Sequence, residues 1–311
     1  MARTRSGNSK KHTPAVRYLR YELVNSGTPG TETSHFLDLA RDLSAINRRL
    51  MRQGRAYHIR KVTVVSSNTP SADNRISLST VPDSWVARNA WKRGFETWKA
   101  MRKDASSTLG NIAGTWDDFK VYLTNDMRSG NILTPKDNGG NDVSPGEWTY
   151  TKLVTPDGTT GADQFWCHIL GDHSGSVGNW ASIGLVKSYE ASRPTVQDGN
   201  SPNVPADASQ DPLVNVFDHG TTIDEVVNLM ESEADAPPYD ADDYPGSDGN
   251  MPKPLVVQDG TLVDGRCVLG GFSAIAGLVE IETKSPIASD TFSVLVELAP
   301  GNYRGISADV I

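Results

Sequence analysis

Short runs in which apolar and polar residues alternate recur along this chain, and they restrict its fold more than any other feature. In residues 291–298, Phe292, Val294, Val296 and Leu298 would share one face of a strand. Comparable runs occupy residues 16–24, 57–65, 76–80, 119–123, 148–150, 165–169, 182–189, 255–257, 266–269, 277–283 and 306–310. Gly, Pro, Asn and Asp separate the runs, as in proteins built from short strands and turns. The pattern predicts an all-β sandwich with elaborated loops.

Length and composition fit a soluble protein with a packed core. At 311 residues the chain is long enough for one large β domain or two ordinary ones. Its two cysteines, Cys167 and Cys267, are expected to be free, partly buried thiols. The first residues lack the apolar stretch of a secretory signal, and the longest apolar run, near 269–279, is rich in Gly and Ala. We therefore expect no membrane insertion.

Two segments of the first third are predicted to be amphipathic helices inserted between strands, one near residues 84–103 and one near 33–53. Asp83 or Ser84 can cap the first of these. Its apolar stripe has members three and four residues apart: Trp91, Gly94, Phe95, Trp98 and Met101. Thr33 or Ser34 can cap the other, and its stripe is Phe36, Leu39, Ala40, Leu43, Ile46 and Leu50. A short third helix is predicted at residues 222–233.

Charge is segregated along the chain. Residues 1–104 hold 20 of the 30 Lys and Arg but 8 of the 38 Asp and Glu, a net charge of 20 − 8 = +12. The remaining residues carry 10 − 30 = −20. A basic segment of this kind is typical of proteins that contact phosphate, anionic lipid or an acidic protein face. We expect contact with a polyanion, and pairing between the two parts of the chain is the alternative.

The cations expected to neutralise phosphate lie in an N-terminal arm, the first strand and the two helices. Residues 1–13 are polar and have no apolar anchor, so we predict a flexible basic arm. The predicted nucleic-acid-binding residues are Arg3, Arg5, Lys10, Lys11, Arg17, Arg20, Arg48, Arg49, Arg52, Arg88, Lys92 and Arg93. Such contacts do not read base sequence, and binding through them should weaken steeply as salt rises.

Other groupings of reactive side chains give no convincing active site. His168, Asp172 and His173 form an H-x3-D-H group, but this spacing matches none of the common zinc motifs. The acidic run at residues 240–248 lacks the Gly and Glu of an EF-hand loop, although calcium at a subunit contact remains an alternative. The Ser-Gly-Ser at 174–176 is not a nucleophile elbow. We predict no catalytic residues, no metal site and no cofactor.

Three stretches carry a resemblance to a known family: TVPDSWVARNAWKRGFETW at 80–98, APPYDADDYPG at 236–246 and the ending VELAPGNYRGISADVI. Together with the basic arm and the acidic loops, they resemble the capsid proteins of small non-enveloped icosahedral DNA viruses. The resemblance implies a viral jelly-roll β-sandwich of two four-stranded sheets, and a double jelly roll is the alternative. It also implies a basic N-terminus facing inward and loops facing outward, for which the acidic insertion at 191–254 is the candidate.

The function that this resemblance implies is structural and not enzymatic. Copies of the chain would assemble into an icosahedral shell around viral genomic nucleic acid, with single-stranded DNA expected, in the virion and in the host cell during assembly. A receptor on the host surface is a further partner. The arm is shorter and less arginine-rich than in the commonest single-stranded DNA virus coats, so the basic helices are expected to supply the missing charge.

Two alternatives from other classes stay open. One is a carbohydrate-binding β-sandwich protein or a sandwich-fold hydrolase that uses Trp148, Trp166 and Tyr239 on exposed loops. The other is a non-viral nucleic-acid-binding protein with a defined footprint and a small stoichiometry.

Overall fold

The computed structural model of the protein describes residues 15–66, 73–108, 110, 115–154, 164–176, 179–191 and 255–311. The predicted arm at 1–13, the predicted helix at 222–233 and nearly all of the acidic insertion at 191–254 lie outside the described residues. The strands are β1 (Tyr18–Val24), β2 (Thr33–Asp38), β3 (Arg55–Ser66), β4 (Arg75–Thr80), β5 (Lys152–Val154), β6 (Gln164–His168), β7 (Ser174–Ser176), β8 (Asn179–Gly184), β9 (Leu255–Thr261), β10 (Arg266–Leu269), β11 (Phe272–Ile275), β12 (Leu278–Lys284), β13 (Thr291–Leu298), β14 (Pro300–Gly301), β15 (Gly305–Ile306) and β16 (Ala308–Val310). The helices are α1 (Leu39–Asn47), α2 (Trp85–Thr108), α3 (Asn125–Ser129) and α4 (Leu185–Ala191).

Two antiparallel sheets form the body of the protein. The first has the order β1-β13-β3-β10, and β11 and β16 also pair with β3. The second has the order β2-β12-β4-β9. The prediction of a mostly β protein with a few inserted helices is confirmed.

The strand pairs of the two sheets are nested within one another. β1 pairs with β13, β2 with β12, β3 with β10 and β11, and β4 with β9. The chain therefore runs as one long antiparallel ribbon that doubles back between β4 and β9. Two further pairings, β13 with β3 and β12 with β4, join neighbouring parts of this ribbon side by side. The ribbon is thus rolled into two sheets.

The main hydrophobic core lies between these sheets. Residues opposite one another in the register share a face, so Tyr21, Val294 and Val64 form one buried row across the first sheet. Leu78 and Ile281 supply the facing layer from the second sheet. The predicted inward stripe of β13 is confirmed, because Phe292, Val294, Val296 and Leu298 are all buried.

The segment between β4 and β9 forms a second hydrophobic cluster. It contains α2, α3, α4 and a small sheet with the order β5-β6-β8-β7, in which β6 and β8 are parallel. Trp91 of α2 and Phe119 pack together here, and the cluster reaches Phe36 and Leu278 of the second large sheet. The inserted segment is thereby anchored on one side of the sandwich.

The helix predicted near residues 33–53 starts later than the sequence indicates. Residues Thr33–Asp38 form β2, and the carboxylate of Asp38 caps α1 by accepting a hydrogen bond from the Arg41 amide at 3.0 Å. Phe36 and Leu37 enter different hydrophobic clusters, as neighbouring residues on opposite faces of a strand do. Pairing of β2 with β12 therefore overrides the helical spacing. The helix near 84–103 is confirmed as α2.

Three predicted strands of the inserted segment are wrong in part. Of residues 182–189, only the portion up to Gly184 is a strand, and α4 follows. Residues 119–123 are extended but make one isolated bridge, Tyr122 with His168. Residues 148–150 precede the strand β5 instead of belonging to it. The apolar residues at these positions are buried or half-buried within the inserted segment, and they resemble strands in sequence although they do not pair as regular sheet strands.

Candidate nucleic-acid interface

The turn that follows α1 exposes three of the residues that are predicted to bind nucleic acid. Arg48 ends the helix in the left-handed conformation, with φ 51° and ψ 44°. The fully buried Met51 then fixes the chain to the core, and its amide donates to Ser44 Oγ at 2.7 Å. Arg48, Arg49 and Arg52 are left on the surface. These arginines are exposed because Met51 holds the turn against the core, and not because they lie on the polar face of a helix.

Two further arginines gather around Tyr303, which lies between β14 and β15. The Arg55 guanidinium carbon lies 4.0 Å from the centre of the Tyr303 ring, a cation–π arrangement. The guanidinium carbon of Arg304 is 5.9 Å from the same ring centre, and its Nη1 donates to the carbonyl of Leu50. The Arg52 amide donates to the Tyr303 hydroxyl at 3.1 Å. We call Arg48, Arg49, Arg52, Arg55 and Arg304 the arginine cluster.

The start of β1 lies beside the arginine cluster. The side chain of Asn47 accepts a hydrogen bond from the Val16 amide at 2.8 Å and donates to the Val16 carbonyl at 3.1 Å. Arg17 is the next residue, and its Nη1 donates to the carbonyl of Leu298 at 3.3 Å. The first described residue, Ala15, therefore stands next to the exposed end of α1.

Helix α2 packs against the segment that carries the arginine cluster. A Cβ added at Gly54 would lie 2.9 Å from the Trp91 ring, so this contact needs glycine. Lys92, the next residue of α2, is exposed. Arg88 contributes less charge, because it makes two hydrogen bonds to the Asp83 carboxylate at 2.6 and 2.9 Å and one to the Val310 carbonyl. The Arg88 guanidinium also lowers the pKa of Asp83.

Two consecutive aspartates join the arginine cluster to the second half of α2. Arg52 pairs with Asp118 at 3.0 Å, and Arg102 of α2 pairs with Asp117 at 2.9 Å. Trp116, immediately before them, is 83% exposed, which is unusual for so large an apolar ring. Cations and aromatic rings therefore interleave along this surface: Tyr303, the arginine cluster, Trp116 and Arg102.

The structure brings some predicted site residues together and separates others. Arg17, Arg48, Arg49 and Arg52 lie around the end of α1, and Lys92 belongs to the helix that packs beside them. Arg93 is exposed on α2, while Arg20 lies further along β1 and pairs with Glu22. Arg3, Arg5, Lys10 and Lys11 lie outside the described residues.

Not every cation of the first third belongs to this surface. Arg41 is buried against Asp42, Arg75 pairs with Asp259 on β9, and Arg60 and Lys61 pair with Glu297. Pairing between the two parts of the chain, the alternative interpretation of the charge segregation, therefore accounts for Arg75, Arg60 and Lys61.

Sequence reasoning missed Arg55 and Arg304. Arg55 begins a strand, and Arg304 lies 254 residues from its partner Leu50. In the sequence, Arg304 is indicated as a binding residue by its position after Tyr303 in a Pro-Gly-Asn turn, since an aromatic residue beside a cation is common at nucleic-acid contacts.

In the H-x3-D-H group, His168 has both ring nitrogens engaged within the protein. The Nδ1 atom of His168 is 2.6 Å from Ser182 Oγ, and its Nε2 is 3.0 Å from the Asp172 carbonyl oxygen. Burial lowers the pKa of His168 to about 4, so its ring is neutral with both nitrogens engaged. Within the described residues, no three His, Cys, Asp or Glu side chains converge as metal ligands would.

The two described tryptophans of the carbohydrate alternative do not stand free on exposed loops. Trp148 is half-buried and donates from Nε1 to Asp38 Oδ2 at 2.9 Å. Trp166 is half-buried against Tyr122, with the Lys152 ammonium 4.5 Å from its ring centre. Tyr239 lies outside the described residues.

Comparison of the chain with protein-family models, with curated proteins and with solved structures found no match. None of the helices in the described ranges has the length and hydropathy that a membrane-spanning helix requires.

Proposed function

We propose that this protein is a structural coat protein whose copies assemble into a closed shell and hold nucleic acid through the arginine cluster. The observation that carries the proposal is the arginine cluster: the guanidinium groups of Arg55 and Arg304 lie at the Tyr303 ring, and the amide of Arg52 donates to its hydroxyl. Arg48 and Arg49 are exposed in the same turn as Arg52. Guanidinium groups beside an aromatic ring bind phosphate and stack on bases, which is what a nucleic-acid groove without sequence preference requires.

The nested strand order supports a jelly roll as the fold of the shell domain. A jelly roll is an antiparallel ribbon of eight strands wrapped into two sheets. Eight strands of the two large sheets can be numbered 1 to 8 in chain order: β1, β2, β3, β4, β9, β10 with β11 as one strand, β12 and β13. In this numbering the two sheets have the orders 1-8-3-6 and 2-7-4-5. Each ribbon pair is present, from the outermost (1 with 8) to the innermost (4 with 5). Since one fold serves many functions, the strand order supports the architecture and the arginine cluster supports the activity.

Exposed apolar side chains on the first sheet support contacts between copies. Leu295 and Val268 lie in one row across β13, β3 and β10, on the face that points away from the core. They are 37% and 56% exposed, and Val65 on the same face is 43% exposed. Apolar groups clustered on a sheet face are typical of surfaces that another protein covers.

Electron microscopy of the expressed full chain, together with analytical ultracentrifugation, tests the proposal. We expect closed particles that contain nucleic acid, and we expect high salt or nuclease with salt to release it. Monomers that bind single-stranded DNA in a small fixed stoichiometry would instead favour a non-viral nucleic-acid-binding protein. Monomers that bind glycans and no nucleic acid would overturn the proposal.

A further inference from the structure

A buried carboxylate, Asp38, connects the sandwich with the inserted segment. Its Oδ2 accepts hydrogen bonds from Gln53 Nε2 at 2.9 Å, Trp148 Nε1 at 2.9 Å and the Tyr150 hydroxyl at 3.0 Å. Its Oδ1 accepts from the Arg41 amide at 3.0 Å. Four donors therefore converge on one carboxylate, and two of them belong to the inserted segment.

A second buried carboxylate, Asp42, lies one helical turn further along α1. It accepts from the Tyr21 hydroxyl at 2.6 Å and from Arg41 Nε at 2.8 Å. Asp42 thus has two donors where Asp38 has four. Because donors stabilise the charged form of a carboxylate, Asp42 is the one of the two that more readily binds a proton.

The charges of this network do not balance when both carboxylates are ionised. Asp38 and Asp42 have no exposed surface, and the cation beside them is Arg41, whose guanidinium pairs with Asp42 and whose amide bonds to Asp38. Among Asp38, Asp42 and Arg41, two negative charges and one positive charge leave an excess of −1 in a region shielded from water. The nearby Lys120 ammonium interacts chiefly with a third buried carboxylate, that of Asp118. An unbalanced buried charge is costly, and one proton removes it.

The same network holds the inserted segment in place. Gln53, which donates to Asp38, also accepts from the Val121 amide at 2.7 Å. Arg41 Nη2 donates to the carbonyl of Leu133. Any change in the charge of the two carboxylates is therefore transmitted to the backbone of the inserted segment at Val121 and Leu133.

We propose that this network is a proton-linked joint: the folded protein takes up one proton on Asp42 near neutral pH, and the joint between sandwich and inserted segment is tighter in the protonated form. The proton comes from solvent and binds a carboxylate oxygen, and no other bond changes. This joint is independent of nucleic-acid binding and of shell assembly.

The titratable groups around Asp42 support this direction. On its own helix they are Asp38 and Arg41, and Tyr21 faces it from β1. Tyr57 of β3 and, from the inserted segment, Tyr150 and Lys120 interact with the neighbouring Asp38. Burial raises the pKa of Asp42 to about 7, against the opposing effect of Arg41. Burial also raises the pKa of Asp38 and of the three tyrosines, so these tyrosines stay neutral and add no charge.

The sign of the pH effect follows from linkage. A carboxyl group whose pKa is higher in the folded state binds its proton more tightly there, so folding is favoured at low pH and this gain is lost as pH rises to 7. The buried His168 has the opposite shift and opposes this slope in the whole protein. The joint must therefore be measured as a difference between variants.

The test is urea unfolding of the full chain from pH 5 to pH 8.5, with wild type compared with Asp42→Asn. The asparagine side chain has nearly the same shape as aspartate and carries no charge. We expect the unfolding constant of wild type, relative to that of the variant, to rise by about tenfold per pH unit between pH 5 and 7 and then to level off. Asp104→Asn, an exposed change on α2, is the matched control and should follow wild type at every pH.

Two further measurements keep the proposal falsifiable if the Asp42→Asn variant fails to fold. Tyr21→Phe removes one donor to Asp42 and should move the carboxyl titration, followed by carbon-13 NMR of labelled aspartate, to higher pH. Hydrogen exchange of the Val121 amide, corrected for its intrinsic rate, should be slower at pH 6 than at pH 8.5. An unchanged titration in Tyr21→Phe, parallel curves for wild type and Asp42→Asn, or Val121 protection that ignores pH would each overturn it.

Discussion

Removal of Arg48 and Arg49 tests the arginine cluster without disturbing the fold. Both side chains are exposed at the end of α1, and neither of them forms an ion pair with any residue that the structure describes. Replacing both with glutamine keeps much of their length and hydrogen-bonding capacity but removes two charges. We expect weaker binding of single-stranded DNA at low salt with little change in stability, because surface changes of this kind cost at most about 0.5 kcal/mol.

The expected magnitude follows from counterion release. Each phosphate contact on single-stranded nucleic acid contributes about −0.7 to the slope of log K against log salt concentration. Losing two contacts should make this slope shallower by about 1.4, so that over a fourfold rise in salt the variant loses about sevenfold less affinity than wild type.

Fluorescence anisotropy with an oligonucleotide at several salt concentrations measures both slopes. The control is Arg266→Gln with Lys284→Gln, which removes the same charge from β10 and β12, away from the arginine cluster. Equal slopes for wild type and the Arg48/Arg49 variant would refute the assignment of this surface. An equal loss in the control would show that net charge matters and that position does not.

Three other predictions concern the aromatic surface, packing and pH. Trp116→Ala should weaken binding of single strands by about 1–3 kcal/mol with little effect on duplex, because an exposed ring stacks on unpaired bases; competition between the two forms measures it. Phe292→Ala should lower the free energy of unfolding by about 3–5 kcal/mol in urea titrations, because its fully buried side chain fills the space between the sheets. His168 should stay neutral by NMR down to about pH 4. Since the unfolded chain protonates this histidine first, its contribution to stability should fall as pH drops from 6.5 to 4.

The strands of the sandwich could be predicted because their sequence period matches their burial. In β13 every second residue is apolar, and the structure buries the same four side chains. The helix α2 was equally clear, because its stripe from Trp91 to Met101 follows the helical period over several turns. The apolar period in the sequence agrees with the buried face in the structure, because this period is what allows a strand or helix to bury one face.

The start of α1 and the strands of the inserted segment could not be predicted in this way. The apolar residues of 33–38, Phe36 and Leu37, are adjacent, so this segment shows no strand alternation, and pairing with β12 makes it a strand. Residues 185–189 mix apolar and polar side chains without a clear period, and only their packing beside α2 as α4 shows which structure forms. Short apolar segments leave their secondary structure to long-range partners.

The β character, the long basic helix and the segregation of charge can all be seen in the sequence, because they depend on residues close together in the chain. The tertiary structure determines which cations share a surface. Arg304 and Tyr303 lie against residues 50–55, whereas Arg41 is buried in the interior. The tertiary structure also determines that Asp38 and Asp42 both bond to the buried Arg41, Asp38 to its amide and Asp42 to its guanidinium. The physical reason is that charge interactions depend on distance and burial in space, and the rolled ribbon brings the two ends of the chain together.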